Sequence, residues 1–235
     1  MNKPNEFVYD KIQNFGMPMP DIPVTLMPSF SQCYEDIIMD SVVRAHVRTY
    51  GHKNFVFVEI GANHPVATSS SYLFKTKYNT RSILVEANPL LIPDLKKFRP
   101  DDIVIHAAVV DNSNPTVDFY ISKNNETSSL DSRFVNVRTP GISKVIRVPT
   151  IRINQVMELA LVQSDNIILS IDVEAYDLPI LKDIDFNQYN PYLILIEPSE
   201  DYQPGSIQDI ISFMNSVSYS LLSETQVNLL FRKNT

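Results

Sequence analysis

Five apolar runs, at residues 55–60, 82–86, 103–109, 167–173 and 192–197, are continuous rather than alternating in polarity. An alternating run buries one face of a strand. A continuous run of this length suits a strand covered on both faces, as in a parallel sheet. Between the runs lie stretches with helical character near 69–76, 89–98, 153–161 and 178–182. Such strand–helix alternation predicts an α/β fold: a three-layer α/β/α sandwich, Rossmann-like, with a mostly parallel sheet.

The two ends of the chain depart from this pattern. Residues 1–30 carry Pro4, Pro18, Pro20, Pro23 and Pro28 without periodicity, which predicts an extended N-terminal arm. Ser31 reads as a helix N-cap, followed by Glu35 and by Ile37, Ile38, Val42, Val43 and Val47 at helical spacing, with Gly51 as the stop. Residues 117–121 and 144–148 predict extra strands flanking a polar loop at 123–138. After a helix over 206–216, runs at 219–222 and 227–231 surround Ser223-Glu224-Thr225-Gln226 and predict a terminal, antiparallel β-hairpin. The reading is one domain over 31–235 behind the arm of 1–30.

Composition then removes function classes. The chain has only 5 glycines in 235 residues, where average usage would give about 16. No two stand close enough to form G-x-G-x-x-G or a Walker loop, so a standard dinucleotide fingerprint and phosphate-cradling loops are absent. Lys plus Arg is 20 against 27 Asp plus Glu, a net charge of −7. An acidic chain without a basic run predicts neither a nucleic-acid partner nor an anionic membrane partner. Cys33 is the only cysteine. It excludes an internal disulfide and a cysteine zinc site, and reads as a buried helix residue. Lys3, Glu6, Asp10 and Lys11 interrupt the first residues, so no signal peptide is expected. With no run near membrane-spanning length, the expectation is a soluble, cytoplasmic protein with no membrane insertion.

In open parallel sheets, ligands bind beyond the carboxyl ends of the strands, where the strand order reverses. Four of the five apolar runs finish on carboxylates: Glu59, Glu86, Asp172 with Glu174, and Glu197. The third leads into His106 and Ala107. Glu86 follows the Gly61 turn by about 25 residues, close to the acidic residue about 20 positions on that binds ribose hydroxyls. A nucleoside ligand without a pyrophosphate fits this pattern better than NAD. An acidic rim would also favour the sulfonium of S-adenosylmethionine (SAM).

The residues that carry this pattern resemble a known family. Phe57-Val58-Glu59-Ile60-Gly61-Ala62-Asn63-His64-Pro65, Ile83-Leu84-Val85-Glu86-Ala87-Asn88-Pro89 and Ile171-Asp172-Val173-Glu174-Ala175-Tyr176-Asp177 are similar, in order, to the FkbM-type methyltransferases. Ser31-Gln32-Cys33-Tyr34-Glu35-Asp36 resembles the element that precedes the first strand in that family. The resemblance implies a class I SAM-dependent methyltransferase fold, a seven-stranded sheet with its last strand antiparallel. It implies methyl transfer to a hydroxyl of a sugar, glycan or similar small acceptor. By matching position, Gln32, Glu59, Gly61, Asn63, Glu86, Asn88, Ala107 and Asp172 would bind the cofactor. Many members carry Asp at the position of Glu59 and glycine at those of Pro65 and Ala175. A positive φ at residue 175 would strain alanine.

A hydroxyl acceptor must lose a proton as it attacks, which calls for a base or a metal. Asp172 and Glu174 are candidates for the base, and together could hold Mg²⁺; the alternative reading makes Glu174 a helix cap. His64, in the loop beside the expected donor, is the other candidate base. His46 and His52 read as surface residues. Ser70 and Tyr72 are candidate acceptor contacts, as are Ser128 and Ser129 in the polar loop. Two competing functions stand beside methyl transfer: a catalytically degenerate SAM-binding module, and an NAD-dependent oxidoreductase.

Overall fold

The computed structural model describes residues 28–51, 54–123, 125–138 and 141–234. The expected N-terminal arm lies outside the described residues up to residue 27, and so does His52. The elements in chain order are α1 (Glu35–Tyr50), β1 (Val56–Ile60), α2 (Tyr72–Tyr78), β2 (Arg81–Glu86), α3 (Ile92–Phe98), β3 (Ile103–His106) and β4 (Ala108–Val109). Then come β5 (Thr116–Ser122), α4 (Ser132–Arg138), β6 (Ile142–Ile151), α5 (Ile153–Gln163), β7 (Ile167–Ile171) and α6 (Asp177–Lys182). The chain finishes with β8 (Leu193–Ile196), α7 (Ser206–Ser216), β9 (Tyr219–Glu224) and β10 (Leu229–Lys233).

Seven strands form the main sheet in the order β3-β2-β1-β7-β8-β10-β9. Strands β1, β2, β3, β7 and β8 run parallel, and β10 is antiparallel to both neighbours. The mostly parallel α/β sheet with an antiparallel C-terminal hairpin is therefore the one expected. Every residue of β1, β7 and β8 is buried, which is why their sequences are continuously apolar. Alternation along β1 still divides the two faces. Val56, Val58 and Ile60 pack with Val156 and Met157 of α5 and Met214 of α7. Phe57 packs with Met39 and Val43 of α1 and Phe74 of α2. Strand order reverses between β1 and β7, so the carboxyl ends of these two strands open the crevice in which such sheets bind ligands.

Five local expectations change. The run at 103–109 is two strands: β3 stays in the main sheet, while β4 joins β6 and β5 in a second, three-stranded sheet. The break falls at Ala107, whose N–H donates to the Glu86 carbonyl (3.1 Å); an apolar run does not signal a change of partner. The polar loop at 123–138 contains a 3-10 turn and α4, a helix whose burial of only Phe134 and Val135 leaves little periodicity. Helix α1 begins at Glu35, with Tyr34 in the left-handed region at its N-cap and no side-chain cap. Ser31 still binds its first turn, its Oγ accepting the Asp36 N–H (3.1 Å), while Cys33 sits half-buried in the turn ahead of the helix. His46 is half-buried against the rings of Phe55 and Tyr192, with centroids at 5.7 and 4.6 Å. Gly51 does stop α1, with φ 72° and its N–H on the Val47 carbonyl. Among the described residues no helix is long and apolar enough to cross a membrane.

Candidate active site

The crevice is built by strand ends held one residue past the last ladder pair. The Gly61 N–H donates to Val85 O (2.9 Å), the Asp172 N–H to Ile60 O (3.0 Å) and the Glu197 N–H to Ile171 O (3.1 Å). Gly61 turns there with φ 82°, and a Cβ at this position would sit 1.7 Å from the Asp172 carbonyl oxygen. Only glycine fits between the two strand ends.

Two connected cavities open on this point. The first, about 610 Å³ with the open space at its mouth included, has an apolar wall from Ile60, Val85, Ala107 and Phe119, with Glu86, Asn63 and Asp172 as polar groups. The second, about 1470 Å³, is polar and reaches Gln32, Arg138, Glu197 and the β9–β10 turn. Gly61, Asn63, Glu126, Asp172 and Glu174 line both. The arrangement joins an apolar slot to a wider polar chamber across a carboxylate threshold.

Of the residues expected at the cofactor, Gly61, Asn63, Glu86, Ala107 and Asp172 line the first cavity. The Glu86 carboxylate accepts the N–H groups of Asn63 (2.9 Å) and Asn88 (2.6 Å), one on each oxygen, and burial raises its pKa. Each oxygen keeps a further lone pair for a ligand hydroxyl. Asn88 is buried beside it, its Oδ1 accepting Leu90 N–H (3.1 Å) while its Nδ2 has no protein partner. Gln32 lies in the second cavity, not the first.

Glu59 lines neither cavity. It shares the face of β1 with Phe57, and so points into the layer beneath α2. There its carboxylate accepts Ser69 Oγ (3.1 Å), Ser70 N–H (2.7 Å) and Ser71 Oγ (2.7 Å). Fully buried Arg99 donates to the same hydroxyls, to Pro65 O (3.0 Å) and to Asp102 (2.6 Å). Direct contact with a cofactor is thus replaced by a role in holding the loop after β1. Ser70, whose N–H is held by Glu59, is buried and lines neither cavity. Tyr72 packs edge-on against Phe30 (4.8 Å), also outside both cavities. His64 is exposed, with Nδ1 accepting the N–H groups of Val66 (3.1 Å) and Ala67 (2.8 Å). It caps its own loop and does not reach the crevice. Ser128 lines the first cavity, whereas Ser129 is buried and donates to the Glu174 carbonyl (2.5 Å).

Glu174 and Ala175 are consecutive left-handed residues, with φ of 59° and 75°. Such residues are costly outside glycine and are held here from three sides. Ser129 Oγ donates to Glu174 O, Gln203 Nε2 to Ala175 O (3.1 Å), and Asp177 Oδ1 accepts the Val173 N–H (2.9 Å). The expectation that Glu174 caps α6 is corrected: Asp177 takes the turn's amide, and the Glu174 side chain lines both cavities.

The carboxyls of the threshold hold protons unusually tightly. Burial, then neighbouring Asp172, pushes Glu174 up to about 9. Burial and the Glu174 charge push Glu197 to about 8. Asp172, buried and beside the Glu197 carboxylate, is raised well above the ordinary carboxylate range. Among the described residues no group of three His, Cys, Asp or Glu is arranged to hold a metal ion. Three residues enter the site without a role read from sequence. Glu197 was legible only as a strand end; Glu126 and Arg138 sit in the polar segment whose short helix left no signal.

Comparison with known proteins follows the same line. The family model described as Methyltransferase FkbM domain matches residues 59–221, more than half of the chain. No curated protein matches. Solved structures with similarity include a methyltransferase from Pyrococcus furiosus, 15% identical, covering 98% of this chain and 97% of that one with a TM-score of 0.40. A Pyrococcus horikoshii protein classed provisionally as an RNA methyltransferase is 12% identical over 92% and 95% of the two chains, with a TM-score of 0.41. The motifs that end β1, β2 and β7 fall within the matched segment, and by that match the chain belongs to the FkbM methyltransferase domain family.

Proposed function

We propose that the chain is a SAM-dependent O-methyltransferase acting on a hydroxyl of a sugar, glycan or similar small acceptor. The observation that carries the reading is the apolar slot that ends on Glu86 at one side and on Asp172 and Glu174 at the other, where it opens into the polar chamber. The residues present fit the cofactor. An adenine ring suits the wall of Ile60, Val85, Ala107 and Phe119. Free lone pairs on Glu86 suit ribose hydroxyls, and the acidic threshold suits a sulfonium. A standard NAD site would need the pyrophosphate turn that the single glycine of this loop does not supply.

When bound, SAM supplies an electrophilic methyl group for in-line displacement. The chain's own work is alignment and proton handling. Asp172 and Glu174 line both cavities, so they face the junction where donor and acceptor would meet. Glu174 would serve as the base, taking the acceptor's proton as the hydroxyl attacks the donated methyl group. Ser129, Gln203 and Asp177 fix the turn that presents it. Calorimetric titration with S-adenosylhomocysteine (SAH) and with NADH tests the reading: binding of SAH and not NADH is expected, and the absence of SAH binding would overturn it. Turnover of SAM with a panel of glycan hydroxyl acceptors then separates an active enzyme from a binding module.

A further inference from the structure

Asp172 and Glu197 follow Ile171 and Ile196, which are register partners on adjacent parallel strands. Their side chains therefore leave the sheet one strand spacing apart, about 4.8 Å, so the two carboxyls are neighbours on the rim, and Asp172 and Glu197 both line the polar chamber. Glu174 stands two residues further on the same rim. The charged groups around the cluster are almost all acidic: Glu86 from β2, Asp177 from α6 and Glu126 from the 3-10 turn, with Glu59 of β1 behind them in the layer beneath α2. Arg138 of α4 is the one cation among the described residues lining either cavity, and it is already paired with Asp201 at 3.3 Å.

A cluster so short of positive charge has a problem as a base, because buried carboxyls without a cation partner hold their protons more tightly than free ones. The same shortage supplies the remedy. We infer that Asp172, Glu174 and Glu197 store protons in the resting site and surrender one to solvent when a sulfonium occupies the threshold, so that donor binding itself generates the base. This rests on the proposed SAM reading and adds Glu197 to its machinery as the partner that holds the stored proton.

The cycle balances. Overall, a hydroxyl acceptor and a sulfonium give an ether, a neutral thioether and one proton. Glu174 accepts that proton from the acceptor oxygen during transfer. The neutral sulfur left behind no longer opposes protonation, so the cluster keeps the proton through product release. It gives the proton up when the next sulfonium enters.

The test uses the full chain and needs no acceptor. SAM and SAH differ at the sulfur charge, and titration of each in two buffers of different ionisation enthalpy near neutral pH counts the protons exchanged. Binding of SAM is expected to release about one proton more than binding of SAH. Accordingly, SAM affinity alone should rise up to about tenfold per pH unit from neutrality towards pH 8. Glu197→Gln, which preserves shape, should remove about half or more of the difference. Equal proton counts for the two ligands would overturn the inference while leaving the SAM reading intact. So would an undiminished difference in both Glu197→Gln and Glu174→Gln. If neither ligand binds, the SAM reading falls and this inference falls with it.

Discussion

The backbone of Gly61 lies against the carbonyl oxygen of Asp172 with no room for a side chain. This contact pins the carboxyl ends of β1 and β7 together where the sheet order reverses. It gives Gly61 a reason that precedes any ligand: its φ of 82° and the missing Cβ are both required by the protein itself. Gly61→Ala would combine left-handed strain of about 1–2 kcal/mol with overpacking of about 1–3 kcal/mol. A loss of about 2–5 kcal/mol in denaturant unfolding is expected, together with loss of SAH binding.

Ala175 is the opposite case, a non-glycine residue where the backbone has φ of 75°. Ala175→Gly would relieve about 1–2 kcal/mol of strain and give up one buried methyl, about 0.8 kcal/mol, packed near Phe134 and Val135. The two nearly offset, so the variant should gain up to about 1 kcal/mol. A loss larger than that would show that the turn is not strained.

Glu59 and Glu86 are both buried strand-end carboxylates, yet they should separate in experiment. Glu59→Gln disturbs the hydroxyl network of Ser69, Ser71 and Arg99. It should cost about 1–3 kcal/mol of stability and change SAH affinity little in the folded protein. Glu86→Ala removes the acceptor offered to the ribose and should weaken SAH binding more than about tenfold, since hydrogen bonds to a charged group contribute about 1.5–3 kcal/mol each. Thermal unfolding and calorimetry on both variants check the division.

Stability should depend on pH in the sense opposite to that of most proteins. Glu174 near 9 and Glu197 near 8 hold protons in the folded state that the unfolded chain releases near pH 4.5. Between these values the folded state binds more protons, so unfolding free energy falls as pH rises, by at most about 1.4 kcal/mol per pH unit for each retained proton. The contribution is fully present below about pH 4.5 and is lost by about pH 9. Tm measured across this window should decline, and Glu174→Gln should flatten the decline. A wild-type Tm that rises towards pH 8 would contradict the placement of these carboxyls.

Much of this was legible in sequence because it rests on continuous burial. The apolar runs of β1, β2, β7 and β8 announced a two-sided sheet, and the carboxylates that end them announced the rim. What sequence did not reveal was direction. Glu59 and Glu86 look equivalent as letters, but strand alternation sends Glu59 beneath α2 while Glu86 meets the amides of Asn63 and Asn88. His64 read as a base because it is adjacent in sequence, whereas its Nδ1 is consumed two and three residues onward by Val66 and Ala67. Arg138 and Glu126 were hidden in a polar segment where α4 buries only two side chains, too few to show a period.

The central claim is that the slot between Glu86 and Asp172 holds the methyl donor. A crystal structure of the protein soaked with SAH tests it most directly. The ribose hydroxyls are expected on Glu86, the adenine against Ala107 and Phe119, and the sulfur at Asp172, facing the polar chamber. SAH bound elsewhere, or a ribose that makes no contact with Glu86, would contradict it.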